Sequence, residues 1–261
     1  MTQMFEKMWQ DYTGLNPSVV KVFKVFSDLG ENVANDHVAF RTFKHPQIGL
    51  SALADVFLKN GYVEKGEYHF KVKKLYAKHF EHPQGGPKVF ISELLTDQLS
   101  GGAQKIIQGL IEQMDMSLTK KPEFCISGRP WKVSHSDYLS LLNESEYAAW
   151  MSAFGFRVNH FTVLVNSLKK LKSIQEVNAA LKQAGHKLNT SGGEIKGTEA
   201  IGLMQSSTMA EPVPVSFTDG NFSIPGCYYE FAQRFVVNGT LYGGFVEQSA
   251  DKIFESTNVR T

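Results

Sequence analysis

Apolar and polar residues alternate along two stretches of the chain, NDHVAFRTF at 35–43 and RVNHFTVLV at 157–165. A period of two is that of a half-buried strand. Each stretch is followed by helical spacing: QIGLSALADVFLKNGY at 47–62, ended by Gly61, and KSIQEVNAALKQAGHK at 172–187, with Gly185 near its end. After the first helix, residues 68–82 predict one or two strands and residues 85–95 another. After the second, IGLMQSSTMA (201–210), VPVSFTD (213–219) and PGCYYEFAQRFV (225–236) predict three more. The order strand–helix–strand–strand–strand thus occurs twice, at about 35–95 and 157–236, with little sequence identity between the copies. A βαβββ unit leaves one sheet face uncovered. Two of them can close a cup-shaped half-barrel with helices outside and a cavity inside.

The expected fold class is therefore α+β, two paired βαβββ units with added helices, in a single domain over residues 1–261. Residues 1–31 are read as helical from the stripe Val19, Val22, Phe23 and Phe26. Residues 96–150 are read as a helical insertion, with KPEFCISGRPW as a loop inside it. SGGEIKG (191–197) is glycine-rich, with no helix start after it to hold a phosphate, and is read as a flexible loop.

Alternation also sorts side chains by face. His37 shares a face with Ala39 and Arg41, and Val38 and Phe40 point the other way, toward a helix. His160 and Thr162 lie opposite the helix-facing row Phe161, Val163 and Val165. In the last strand of the second unit, Tyr228, Glu230, Ala232 and Arg234 lie opposite Tyr229, Phe231 and Phe235. The matching strand of the first unit offers Glu93, with Val89 and Ile91. Two histidines and one or two glutamates therefore occupy corresponding positions. Two imidazoles and a carboxylate suit divalent iron, manganese or zinc and leave coordination positions open for substrate and O2. The same trio around a zinc-bound water would suit a hydrolase. Arg41, about 13 Å along the strand from His37, is a candidate clamp for an acidic substrate, because a guanidinium grips a carboxylate with two parallel hydrogen bonds. Arg234 is a second candidate. Each residue also has a plainer reading: a histidine hydrogen-bonded in the core, Glu230 paired with Arg234, or Arg41 in an ion pair. His45, His69, His79, His82, His135 and His186 are read as surface or structural, with His79 and His82 at most a weak metal pair.

Composition narrows the classes. The hydrophobic fraction is 42% and the charged fraction 20%, so disorder is not expected. Lys and Arg total 27 against 26 Asp and Glu, a net charge of +1 without the clustered basic excess of a nucleic-acid binder. No apolar run approaches the roughly 20 residues of a membrane helix. The opening MTQMFEKMWQDY carries acids and lacks the apolar core of a signal peptide. Cys125 and Cys227 form no CxxC and are read as free thiols of a cytoplasmic protein. Phosphate-loop, dinucleotide-loop, HExxH and GxSxG motifs are absent. The oligomeric state stays open.

With these residues identified, the chain resembles the 2-oxoadipate dioxygenase/decarboxylase family. The resemblance rests on DHVAFRTF, VNHFTVLV, GLMQSST and PGCYYEFAQRF, and with their spacing it covers most of residues 30–240. Residues 96–150 and the tail match only loosely. The resemblance implies a fold similar to the vicinal-oxygen-chelate enzymes and a metal, Fe(2+), held by His37, His160 and Glu230; other divalent metals such as Mn or Zn would fit that ligand set. It implies Arg41 as a catalytic, substrate-binding arginine and Gln205 as a residue near the substrate. Glu93 follows from the repeat alone, as a weak fourth ligand or an acid behind the ligands. The implied partners are a small 2-oxo acid and O2, with 2-oxoadipate converted to 2-hydroxyglutarate and CO2. The chain is short for that family, and the 25 residues after Val236 are expected to help close the pocket. A metal-dependent hydrolase, lyase or isomerase, or a non-catalytic small-molecule binding module, are the alternatives on the same scaffold.

Overall fold

The computed structural model describes residues 2–257. Two helices, α1 (Thr2–Leu15) and α2 (Pro17–Asp28), precede the first unit. Pro17 opens α2, where its missing N–H costs no helical bond. Val19, Val22 and Phe26 of α2 are buried, whereas Phe23 is the partly exposed edge of the predicted stripe. The first unit runs β1 (Asn35–Phe43), α3 (Leu50–Leu58), β2 (Val63–Phe70), β3 (Leu75–Glu81) and β4 (Lys88–Leu94). The insertion carries α4 (Gly101–Ile111), α5 (His135–Glu144) and α6 (Glu146–Phe154). The second unit runs β5 (Val158–Leu164), α7 (Ile174–Gln183), β6 (Lys196–Thr198), β7 (Leu203–Ser207), β8 (Pro212–Phe217), β9 (Gly220–Pro225) and β10 (Glu230–Arg234). Two short strands, β11 (Val236–Val237) and β12 (Thr240–Leu241), and α8 (Glu247–Ile253) follow. A turn of 3-10 helix, Phe254–Thr257, ends the described chain.

Eight strands form one sheet in the order β2-β3-β4-β1-β5-β10-β7-β6. Its halves mirror each other. In each, the unit's first strand lies at the centre and pairs in parallel with the unit's last strand, β1 with β4 and β5 with β10. The halves meet where β1 and β5 pair antiparallel. The apolar faces of α3 and α7 cover the outside: Leu53, Ala54 and Phe57 on one side, Ile174, Val177 and Leu181 on the other. A reciprocal cap of Ser173 and Glu176 starts α7. Helix α8 contacts both edge strands, β2 and β6, and so lies across the mouth of the cup.

One predicted strand and one predicted loop fall differently. Residues 213–219 do not join the main sheet; β8 pairs with β9 as a separate hairpin. Pro212 and Pro214 explain this, because two missing amide hydrogens spoil one edge of β8 for a central ladder. The edge place goes to β6, which emerges from the glycine-rich stretch read as a flexible loop. Gly192, Gly193 and Gly197 all take positive φ there, and their turns conceal a strand three residues long.

The insertion is wired to the first unit. The Tyr147 hydroxyl donates to the Ser92 carbonyl and accepts from the Thr42 amide. Helix α6 is buried along Tyr147–Phe154 and ends at Gly155, whose φ is +68°. A Cβ at Gly155 would meet the Gly128 carbonyl oxygen at 2.3 Å. Backbone cannot yield there, and β5 begins three residues later. Gly155→Ala is therefore expected to lose about 3 kcal/mol or more of stability, read as a lowered urea midpoint. A midpoint within error of wild type would show that this turn relaxes freely.

Candidate metal centre

The centre is built on the β1–β5 pair. Its register shifts twice. His37 pairs with Thr162 while Asn35 pairs with Val163, leaving Asp36 as an extra residue on β1. Ala39 pairs with His160 while Phe40 pairs with Val158, leaving Asn159 as an extra residue on β5. A bulge re-aims the side chains around it. Here it lets each extra residue reach the histidine that follows it. The His37 Nδ1 lies 2.7 Å from Asp36 Oδ1, and the His160 Nδ1 lies 3.0 Å from Asn159 Oδ1. With a carboxylate or amide oxygen as acceptor, each Nδ1 carries the proton and each Nε2 a lone pair.

Those two Nε2 atoms converge on Glu230. His37 Nε2 is 3.6 Å from one carboxylate oxygen and His160 Nε2 is 3.2 Å from the other. One ligand atom from each of the three residues lies within 4.8 Å of the others, and all three side chains are buried. Donors about 2.1 Å from a shared ion stand roughly 3–4 Å apart, so the spacing fits one cation. The chemistry fits too: lone pairs facing a carboxylate repel unless a positive charge lies between them. Burial holds His160 below its ordinary pKa, only partly offset by Glu230. Burial alone would raise Glu230, but the neighbouring His160 and His37 and the Gln205 amide hold it below the usual range. Neutral imidazole and ionised carboxylate are the forms that bind metal.

The surroundings assign work to the other candidates. Gln205 Nε2 donates to Glu230 Oε1 at 2.6 Å. Tyr228 stacks on His160 with ring centroids 4.6 Å apart, and Phe245 sits edge-on to His37 at 4.8 Å. The Thr162 hydroxyl is 3.1 Å from His37 Nε2. Arg41 is buried and engaged: Nη1 lies 3.2 Å from Glu146 Oε2, and Nη2 lies 3.4 Å from the Thr257 hydroxyl. The faces of Tyr147, Trp150 and Phe254 surround its guanidinium. Gln205 Oε1, Tyr228 OH, Arg41 Nε and Glu146 Oε1 are buried without a hydrogen-bond partner among the described residues. Unsatisfied buried polar atoms are uncommon, and their grouping around this centre is what a ligand-accepting interior requires.

Two expectations are corrected. The guanidinium of Arg234, the second candidate clamp, is taken up by Asp36, and it does not pair with Glu230. Its Nε and Nη2 grip Asp36 at 2.6 and 2.8 Å, and its Nη1 donates to the carbonyls of Tyr242 and Gly244. Against the cost of burial, Arg234 holds the Asp36 carboxyl far below the usual range. Arg234 thus positions Asp36, and Asp36 positions His37. Glu93 is neither a ligand nor behind one. It pairs in register with Thr42, on the outer face, and accepts the Leu50 amide at the start of α3 at 2.8 Å. The cavity-facing row of β4 contains Phe90, which packs on Phe245. Sequence reasoning also passed over Asp36, Asn159, Glu146 and Lys196, and placed Tyr228 beside Glu230 without giving it a role. For the first two there was a signal: both histidines follow a residue with a side-chain oxygen acceptor, DH and NH.

The C-terminal segment packs against the interior. The Thr257 hydroxyl donates to Glu146, and the Ser256 hydroxyl meets Ser207 and Asn189. No helix among the described residues is long and apolar enough to cross a membrane. The thiols of Cys125 and Cys227 are both buried and form no disulfide.

The chain matches the family described as 2-oxoadipate dioxygenase/decarboxylase over residues 1–122 and 124–240. It is similar to a solved structure from Oryza sativa, hydroxyglutarate synthase in complex with 2-oxoadipate. That match has 34% identity and a TM-score of 0.91, covering 99% of this chain and 92% of that one. It is also similar to a candidate hydrolase from Shewanella frigidimarina, with 51% identity and a TM-score of 0.90, covering 94% and 97%. A candidate glyoxalase-superfamily protein from Ralstonia eutropha, at 18% identity and a TM-score of 0.80 over 93% and 84%, shares the fold. That fold is the vicinal-oxygen-chelate arrangement of paired βαβββ units. The family match spans both units and every strand that supplies the trio, and so the chain belongs to the 2-oxoadipate dioxygenase/decarboxylase family.

Proposed function

We propose that the chain binds Fe(II) at His37, His160 and Glu230 and converts 2-oxoadipate plus O2 into 2-hydroxyglutarate plus CO2. The observation that carries this reading is the convergence of two lone-pair Nε2 atoms and one carboxylate in a buried site with unsatisfied polar atoms around it. When bound, the iron supplies open coordination positions for a chelating 2-oxo acid and for O2. The protein's own contribution is orientation and exclusion of water. Asp36 and Asn159 keep both imidazoles in the ligating tautomer. Gln205 holds the Glu230 carboxylate, leaving its own amide oxygen toward the interior. Arg41 takes a substrate carboxylate in exchange for Glu146. Tyr228 and Phe245 wall the centre, and the segment from Phe245 to Thr257 seals it from solvent.

The test is oxygen uptake. Protein loaded with Fe(II) under nitrogen, then mixed with air-saturated buffer and 2-oxoadipate, is expected to consume O2 and release CO2 in equal amounts. Turnover under nitrogen with zinc or manganese would instead support a hydrolase, lyase or isomerase. Absence of O2 uptake with every 2-oxo acid tried would overturn the proposal.

A further inference from the structure

The buried charges of this interior are paired with one exception. Arg41 meets Glu146 and Arg234 meets Asp36. Lys196 is only 4% exposed, yet no carboxylate lies within ion-pair distance of its ammonium among the described residues. Its one hydrogen bond, 2.6 Å to the Asn189 carbonyl, fixes the stem and leaves two N–H groups to offer. Lys196 pairs in register with Gln205, and Gln205 pairs with Ala232 on β10. Register partners share a face, so the ammonium lies on the face that bears Gln205 and Glu230. Gly197 anchors the backbone beside it, where a Cβ would meet the Leu203 carbonyl at 2.1 Å. In the strand order β1-β5-β10-β7-β6, Arg41 and His37 stand at one end and Lys196 at the other, with His160 and Glu230 between them. A buried ammonium without an anion is costly unless a ligand brings one.

We propose that Lys196 binds the substrate carboxylate remote from the 2-oxo acid group, and so selects dicarboxylic over monocarboxylic 2-oxo acids. This rests on the reading above and names the residue that sets its substrate class. Burial lowers the ammonium to about 8, with Glu230 and Glu194 pulling it back up, so it is mostly charged at neutral pH. The plainer role, a counter-ion for Glu230 alone, predicts something different. It would make Lys196 matter to the metal and to every substrate equally.

The experiment compares 2-oxoadipate with 2-oxohexanoate, which has the same chain length but no second carboxylate. Binding of each to Fe(II)-loaded protein is measured under nitrogen for wild type, Lys196→Met, Lys196→Gln and Lys196→Arg. Wild type is expected to favour the diacid by about 10- to 100-fold, the range of a charged hydrogen bond. Lys196→Met and Lys196→Gln should erase that preference, leave 2-oxohexanoate binding within about threefold and keep the metal content. Lys196→Arg should retain much of the preference. An unchanged diacid preference in Lys196→Met, equal losses for both acids, or loss of metal would overturn the assignment. Failure of both neutral variants to fold would make Lys196 structural and overturn it as well. The reaction itself is judged separately, by wild-type O2 uptake: absent uptake sinks both readings, whereas uptake with the preference intact in Lys196→Met sinks only this one.

Discussion

His160→Ala protein, loaded with Fe(II) and desalted beside wild type, is expected to lose nearly all of its metal, and its O2 uptake with 2-oxoadipate should fall by more than about 100-fold. Substituting a residue that merely supports a ligand already costs 10–100-fold in affinity or activity, and losing the ligand itself should cost more. The remaining His37 and Glu230 cannot enclose the ion, and the space left beside Tyr228 admits water in place of imidazole. Elemental analysis gives the metal content and an oxygen electrode the rate. Metal retained at the wild-type ratio in this variant would show that the ion lies elsewhere.

Asp36→Ala should act on stability and metal together. The variant leaves the Arg234 guanidinium buried without its anion, the costly way to break a buried pair, worth about 3–5 kcal/mol. It also frees His37 Nδ1, so the ring can rotate and expose the wrong nitrogen. Metal affinity is expected to fall about 10–100-fold even at temperatures where the protein stays folded. Urea titration checks the first effect and metal competition the second. If the midpoint drops but metal affinity stays at the wild-type value, Asp36 supports the fold without orienting the ligand.

Much of the architecture was legible because it is periodic. Two strands with one face against helices, each followed by a helix of matching length, betray paired units without any alignment. The strand holding His37 was read with the bounds it has, Asn35–Phe43. His37 and His160 were legible as a pair because the repeat puts them on equivalent strands that meet at the seam, and the choice of Glu230 over Glu93 rested on the family resemblance. What alternation could not supply was which face of a strand looks inward when both are apolar. Glu93 went astray on that point, since Phe90 and Leu94 are as buried as Val89 and Ile91. Nor could it supply partners for charges. Arg234 was in the right strand and on the inward face, but Asp36, 198 residues away, claims its guanidinium. Lys196 lay hidden among glycines whose composition reads as loop, and only the pairing with β7 reveals a strand.

The two bulges at the seam carry a consequence for how the centre assembles. Each imidazole is aimed by the residue one peptide bond before it, so that its orientation depends on local chain geometry more than on distant packing. Once β1 and β5 zip together, both nitrogens already face the same spot, and a cation has half of its cage before the last strand arrives. Glu230 then completes the set from a segment 70 residues beyond His160. Binding of the ion and docking of β10 would reinforce one another, making the cofactor a late stitch that fastens the second half of the cup to the first.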